Sequence, residues 1–286
     1  MLAVIVSGLA IGALYASVAL AYNVMFSTSK VLSVSTGQLC MLGGVFGAWF
    51  MNGLGWPAWL ALLGVVVLGA VFGLLTEIIA VRRVLALSDE HLWLLSTLAL
   101  ATMVQQAVGL WWGTEPRPFP RLFPQDFSAG VLDQKYWLPI ALVLILVVAL
   151  ELFYRRTLWG KLFIATSEDA FAARARGIAT DRVRALSYAL AGVIGGLAGF
   201  AAGQLTFAYF ALGLTLTLNG FIALAVGGLG SNLGALFGGI ALGLLGAFAT
   251  YFFGGEYQQT IAVGLLLLVL IVRPEGLLGA KRVRPV

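Results

Sequence analysis

Charged side chains concentrate in one segment, residues 167–186, with the sequence SEDAFAARARGIATDRVRAL. The 286-residue chain has 17 Lys and Arg and 12 Asp and Glu, 29 charges in all, and seven of them lie here. Carboxylates and arginines at short spacing form ion pairs and bind charged partners. Because the segment has no nucleophile, base and acid together, it predicts binding rather than covalent chemistry.

The same segment carries the start and stop signals of a short helix at about residues 168–176. Thr166 or Ser167 can cap its first turn, with Asp169 as the reciprocal partner, and adjacent carboxylates suit the positive end of the helix dipole. Gly177 can adopt the left-handed conformation that ends a helix. Its small apolar residues offer a surface to a partner. An interfacial helix whose arginines touch anionic lipid is the alternative.

Other residues that do chemistry are scarce. The chain contains no Gly-x-x-x-x-Gly-Lys-Ser/Thr loop, so we expect any nucleotide to bind to a different subunit. His91 is the single histidine and lies beside Asp89 and Glu90, which predicts a solvated helix start rather than a metal or catalytic site. Cys40 is the single cysteine and has no disulfide partner. A membrane enzyme is therefore disfavoured.

Composition places these residues in a membrane. Only 10% of residues are charged and the mean hydropathy is +1.00, whereas about a quarter of a soluble domain is charged. Apolar stretches of about 20 residues cross a hydrocarbon core, and they must be helical because an open strand leaves backbone groups unpaired in lipid. The predicted spans are 2–26, 37–54, 58–80, 92–112, 137–154, 185–209 and 258–272.

Residues 212–253 are apolar but rich in glycine, which predicts a broken or re-entrant helix. We expect the break within GGLGSNLGALFGG, Gly227 to Gly239, because adjacent glycines and Asn232 destabilise a helix. The expected fold is all-α: a single transmembrane domain, residues 1–286, forming a polytopic helix bundle of eight to ten helical segments with a short cytoplasmic helix. Glycines at four-residue steps predict close helix packing.

Basic clusters set the predicted orientation. Residues 82–83, 155–184 and the tail after residue 273 hold most of the positive charge, so the positive-inside rule places them in the cytoplasm. Such short clusters between spans do not favour nucleic-acid binding. Residues 113–136 then face outward, where basic side chains can contact an acidic partner protein or remain solvated. The candidates for that contact are Arg117, Arg121 and Lys135.

Uncharged polar residues enter the spans, and we predict that some of them line a translocation path. Hydrogen bonding between helices is the alternative. The candidate path residues are Ser33, Ser35, Thr36, Gln38 and Asn219. No ionisable group is expected at mid-span, since Glu77 and Glu151 are predicted to be interfacial partners of Arg82 and Arg155. A carrier driven by protons or sodium binds its ion within the membrane, so an external energy source is expected.

The stretch ATSEDAFAARARGIATDRVRALSYALAG, residues 165–192, resembles the cytoplasmic coupling segment of ABC-importer permeases. The chain is similar to the branched-chain amino-acid permeases of the LivH type. SGLAIGALYASVALAYNVMF at 7–26 resembles their first span, AVGGLGSNLGALFGG at 225–239 their glycine-rich late segment, and RPEGLLG at 273–279 their terminal signature. These motifs occur in order and cover essentially the whole chain.

The resemblance implies a permease subunit of the bacterial inner membrane that imports branched-chain or other hydrophobic amino acids. It implies a second permease chain, a paralogue, two ATPase subunits that bind ATP and magnesium, and a periplasmic solute-binding protein. It implies no cofactor or metal in this chain. The residues implied to dock on the ATPase are Glu168, Asp169, Phe171, Ala172, Arg174, Gly177 and Ile178.

One departure from the family pattern leaves the substrate open. Where the family commonly reads Asn-Phe-Ala-His-Gly-Glu, this chain reads Ser33-Val34-Ser35-Thr36-Gly37-Gln38 and lacks the histidine and the carboxylate. Neutral polar groups suit urea, short amides or aromatic solutes as well as amino acids. A stand-alone channel for a small solute remains the alternative from another class.

Overall fold

The structure, a computed structural model, describes residues 1–85, 92–120 and 134–279. Its first helices are α1 (Leu2–Ser29), α2 (Thr36–Asn52), α3 (Ala58–Thr76), a π-helix (Glu77–Arg82) that continues α3 into α4 (Arg83–Leu85), α5 (Leu92–Trp112) and α6 (Gln134–Arg156). The later helices are α7 (Leu158–Glu168), α8 (Ala170–Ala175), α9 (Thr180–Leu205), α10 (Leu212–Gly227), α11 (Asn232–Phe253), a 3-10 turn (Gly255–Tyr257) and α12 (Gln258–Val272). The described residues are helical apart from loops and one isolated bridge between Arg117 and Ala208, which confirms the all-α class.

Seven helices in the described residues are long and apolar enough to cross a membrane, which indicates a multi-pass membrane protein. They are Leu2–Ser29, Ala58–Leu85, Leu92–Trp112, Lys135–Arg156, Thr180–Leu205, Asn232–Phe253 and Gly255–Val272. The helices α2 and α10 are shorter, with 17 and 16 residues. The predicted spans match these helices to within a few residues at most ends.

The spans pack through glycine, most closely around the buried helices α1 and α9. A Cβ on Gly192 of α9 would meet the carbonyl oxygen of Gly69 on α3, and one on Gly243 of α11 would meet the backbone of Gly12 on α1. Backbones in direct contact exclude any side chain between them. The four-residue glycine steps in the sequence therefore mark close helix packing, as expected in lipid.

The short helices α2 and α10 both begin inside the bundle. After α1, Lys30 has a left-handed backbone (φ 57°), and residues 31–35 run back among buried groups before α2 starts. The first turns of α2 and α10 then meet, because Gly37 lies directly against Gly213. No side-chain cap bonds to the first turn of either helix. Two helix N-termini are thus brought together within the protein.

A turn at residues 228–231 separates α10 from α11. Gly228 and Gly230 have positive φ angles of 107° and 88°, which favour glycine. Gly227 ends α10, and residues 232–239 of the GGLGSNLGALFGG stretch are regular helix in α11. The Leu277 amide donates to the Val226 carbonyl (2.9 Å), so the end of α10 and the chain after α12 lie at the same end of the bundle.

The contact between α3 and α9 yields a stability prediction. We expect Gly192→Ala to lower the free energy of unfolding by about 1–3 kcal/mol, because the added methyl group must displace the α3 backbone. The measurement is thermal unfolding of the detergent-purified chain.

The matched control is Gly264→Ala on α12, where a Cβ meets nothing within 4 Å. Equal unfolding temperatures for the two variants would contradict the packing described for α3 and α9.

Candidate functional site

The connection between α6 and α9 contains two helices rather than the one that the sequence predicts. The first, α7, begins after Thr157, whose hydroxyl accepts from the Gly160 amide (2.9 Å). Its Phe163 ring packs edge-on against Phe153 of α6, with centroids 5.5 Å apart. This helix holds the following polar segment close to the bundle.

The polar helix begins two residues later than the sequence predicts. Its predicted cap, Thr166 or Ser167, is also wrong. The helix is α8, Ala170–Ala175, and Asp169 is its N-cap. One Asp169 carboxylate oxygen accepts from the amides of Phe171 (2.8 Å) and Ala172 (2.9 Å). Thr166 and Ser167 instead belong to α7 and donate to carbonyls of that helix. The reason is that Asp169 is extended (φ −150°), which separates the two helices, and its carboxylate satisfies two free amides at once.

The predicted stop at Gly177 agrees with the structure. Gly177 has a left-handed φ of 84°, its amide donates to the Arg174 carbonyl (3.0 Å), and the Ile178 amide donates to the Ala173 carbonyl (3.1 Å). This pair of hydrogen bonds is a Schellman motif. It fixes the angle at which the chain enters α9.

The helix α8 presents an apolar side chain away from the bundle. Phe171 is 84% exposed, whereas Ala173 is 4% exposed and faces the protein. Ile178 is half-buried and packs against the core. The predicted docking residues that the structure leaves exposed are Glu168, Asp169, Phe171, Ala172, Arg174 and Gly177.

Glu77 pairs with Arg82 as predicted, and in addition it is buried within the protein. The side chain is fully buried (0% exposed), and it contacts both Arg82 (3.1 Å) and Arg184 of α9 (2.9 Å). Burial follows from the packing of α3 against α9, which the sequence alone does not show. Glu151 and Arg155 do form the expected exposed pair, 2.6 Å apart.

The predicted path residues are all buried, and four of them lie together at the start of α2. The Ser33 and Ser35 hydroxyls are 2.8 Å apart, and the Thr36 hydroxyl donates to the Ser33 carbonyl (2.7 Å). Gln38 donates weakly to the side-chain oxygen of Gln105 on α5 (3.5 Å), while its own buried side-chain oxygen lacks a hydrogen-bond partner among the described residues.

Asn219 is buried on α10 but is not bonded to the residues at the start of α2. Its amide donates to the Thr215 carbonyl of its own helix (3.0 Å). Thr217, which the sequence reasoning missed, makes the connection through a long hydrogen bond to the Val34 carbonyl (3.5 Å). The sequence feature that could have identified Thr217 is its position two residues before the candidate path residue Asn219.

Lys30 is a second residue that the sequence reasoning missed. Its ammonium donates to the Ser167 carbonyl at the end of α7 (2.8 Å), and partial burial lowers its pKa. The segment that leads into α2 is therefore tied to the polar segment that carries α8.

The basic residues of the predicted outer loop differ in their surroundings. The Arg117 guanidinium donates to the Trp112 carbonyl (2.8 Å) and lies 4.5 Å from the centre of the Trp112 ring. The Lys135 ammonium lies 4.9 Å from the centre of the Tyr136 ring. Arg121, like the predicted helix start at His91, Asp89 and Glu90, lies outside the described residues.

Metal-ligating side chains do not cluster in the described ranges. No group of three or more His, Cys, Asp or Glu residues is close enough to hold an ion in residues 1–85, 92–120 and 134–279. Cys40 is a free and fully buried thiol that packs against α9. The site therefore consists of an exposed helix and a buried group of neutral polar side chains.

Seven apolar helices in the described part of the chain, which enclose neutral polar side chains, define a multi-pass membrane protein. The chain belongs to the family described as "Branched-chain amino acid transport system / permease component", whose model matches residues 4–270.

Relatives match this chain over nearly its whole length. The "High-affinity branched-chain amino acid transport system permease protein LivH" of Escherichia coli (strain K12) is 29% identical, with 98% of this chain and 96% of the relative covered. The corresponding BraD protein of Pseudomonas aeruginosa is 26% identical, with 99% and 97% covered.

A solved structure has a similar fold. PsaBC from Streptococcus pneumoniae in complex with Fab matches with a TM-score of 0.53 at 16% sequence identity, covering 94% of this chain and 91% of that chain. At this identity the likeness shows the fold alone.

Proposed function

We propose that this chain is a permease subunit of an ATP-driven importer that moves branched-chain or other hydrophobic amino acids into the cytoplasm. The observation that carries the proposal is Phe171, an apolar side chain 84% exposed on a short helix outside the seven spans. An exposed aromatic residue on a helix outside the spans is suited to burial against a protein partner.

The partner at α8 is an ATPase subunit. The chain carries no nucleotide-binding loop, so ATP and magnesium bind to two separate ATPase subunits rather than here. Asp169 and Gly177 fix both ends of α8 by hydrogen bonds and backbone conformation. A helix whose ends are fixed in this way moves as a rigid body. Coupling to an ATPase subunit requires such rigid transmission of movement.

The buried polar group suits the two ends of an amino acid. The N-termini of α2 and α10 meet, and the positive ends of their dipoles favour a carboxylate. The unpartnered oxygen of Gln38 is an acceptor and suits an ammonium group. Urea and short amides lack this pair of opposite charges, so an amino acid is favoured. The path residues are Ser33, Ser35, Thr36, Gln38 and Asn219.

A second permease chain, a paralogue, completes the path. On the spanning helix α5, the polar residues Thr102 and Gln106 are exposed, and polar groups facing lipid are costly. A partner chain that covers this face removes the cost. The seven spans together with α2 and α10 give nine helical segments, and residues 228–231 form the break of a re-entrant glycine-rich region.

The remaining partners follow from the orientation. The arginine-rich end, which includes Arg82, Arg155 and α8, faces the cytoplasm of a bacterial inner membrane by the positive-inside rule. The opposite end then receives a periplasmic solute-binding protein. Arg117, Arg121 and Lys135 are the proposed contacts, and attraction of that kind weakens with salt.

The first test of the proposal removes the exposed ring of α8. We expect Phe171→Ala to lower uptake at least about tenfold in proteoliposomes that contain the complete importer, because hot-spot aromatics dominate interfaces. Gly177→Pro is expected to abolish uptake, since proline cannot adopt a positive φ.

The control is Leu267→Ala, which removes an exposed apolar side chain (56%) from the middle of the spanning helix α12. Uptake by this control stays at the wild-type level. Downhill flux through the purified chain alone, without ATPase subunits, would instead support a stand-alone channel and contradict the proposal.

The second test addresses the path. We expect the double variant Gln38→Ala, Asn219→Ala to raise the KM for leucine uptake about tenfold, because it removes polar groups offered to a charged substrate. Assembly with the partner subunits should remain normal. Gln259→Ala, an exposed amide on α12, is the control. Unchanged uptake by the double variant would count against this path.

A further inference from the structure

Glu77 is a carboxylate held inside the bundle. It lies in the span Ala58–Leu85, and its side chain is 0% exposed. Burying a charge is costly unless ion pairs and hydrogen bonds compensate it. The start of α9 supplies that compensation, because the Arg184 Nε donates to the Glu77 Oε1 at 2.9 Å.

Arg184 joins Glu77 to the polar segment. Its guanidinium, only 12% exposed, also contacts the Asp181 carboxylate at 3.2 Å. Asp181 in turn lies 3.8 Å from Arg174 of α8, and the Arg174 Nε donates to the Thr180 hydroxyl at 2.9 Å. A continuous chain of polar contacts therefore runs from α8, through the first two turns of α9, to Glu77 in the π-helix that continues α3.

The contacts in this chain differ in strength. The Arg174–Asp181 pair is long and both side chains are more than 60% exposed, so water and salt weaken it. The Glu77–Arg184 pair is short and buried, so it is weakly screened. The strong contact thus lies between α9 and α3, and it is the one that resists separation.

Close packing carries the connection further into the membrane. One helical turn before Glu77, Gly73 of α3 lies against the backbone of Tyr188 on α9. On its other side, α9 contacts α2 where Gly196 lies against Gly43. Movement of the first turn of α9 is therefore passed both to α3 and to the helix that carries the path residues.

The backbone at Glu77 is itself unusual. Residues Glu77–Arg82 form a π-helix, whose hydrogen bonds join residues five apart, and Glu77 and Arg82 have that spacing. Short π-helical segments within α-helices occur frequently at functional sites. Here the π-helix places a second arginine on the buried carboxylate.

We propose that Glu77 and Arg184 are positioning residues that transmit movement of α8 to α3 and the path, so that import depends on their ion pair even when ATP hydrolysis continues. This inference rests on the proposed function, because it requires an ATPase acting on α8. It adds that the buried ion pair, together with the close backbone packing of α3 against α9, carries this movement.

The test replaces the pair by apolar residues in the complete importer. Replacement of a buried ion pair by apolar side chains of similar volume is often neutral or stabilising, so Glu77→Leu, Arg184→Met should assemble. We expect solute-binding-protein-stimulated ATP hydrolysis to persist while the amount of leucine imported per ATP falls about fivefold or more. The single variant Arg184→Lys, with native Glu77, keeps the charge. It is expected to retain most of the wild-type amount of leucine imported per ATP.

The matched control is Glu151→Leu, Arg155→Met, which removes the exposed pair on α6 and should leave the ratio unchanged. A wild-type ratio in the Glu77→Leu, Arg184→Met importer would overturn the inference. Failure of both this variant and Glu77→Gln to assemble would assign the pair a purely structural role and overturn it as well. Failure of the wild-type chain to import with its ATPase would instead contradict the proposed function.

Discussion

Contact between helix backbones is the interaction on which this structure depends. In lipid the hydrophobic effect does not bring helices together, so close van der Waals packing must do so. Glycines at the crossings of α3 with α9, α2 with α9 and α1 with α11 let backbones touch. Because the backbones are in direct contact at these crossings, a displacement of one end of α9 also moves the helices that α9 contacts.

Close packing also explains why polar groups inside the bundle are paired. Asn23 of α1 donates to Asn232 of α11 (2.7 Å) and accepts from the Gly230 amide (2.9 Å), which fixes the turn between α10 and α11. Glu77 is held by two arginines. Three buried side-chain atoms of the described residues lack a hydrogen bond, namely Gln38 Oε1, Glu77 Oε2 and Trp112 Nε1, and the Gln38 oxygen lies where the two short helices begin. An unsatisfied acceptor at that position is consistent with a site that a substrate completes.

Much of the fold could be predicted from the sequence, and the reasons are local. Spans follow from runs of apolar residues, and the stop of α8 follows from Gly177. The cap at Asp169 was missed because Thr166, Ser167 and Asp169 are all competent caps, and only the separate helix α7 decides between them. Glu77 is buried against Arg184, which is 107 positions away, and Thr217 contacts Val34, which is 183 positions away. No local sequence pattern reports contacts over such distances along the chain.

We propose that α8 binds a separate ATPase subunit. Position 171 reports on this most directly, because Phe171 is exposed in the chain alone and the native Cys40 is fully buried. With Phe171→Cys, the rate of thiol labelling can be compared between the purified chain and the complex with its ATPase subunits. The account predicts rapid labelling of the chain and strong protection in the complex. Equal labelling rates in both would contradict it.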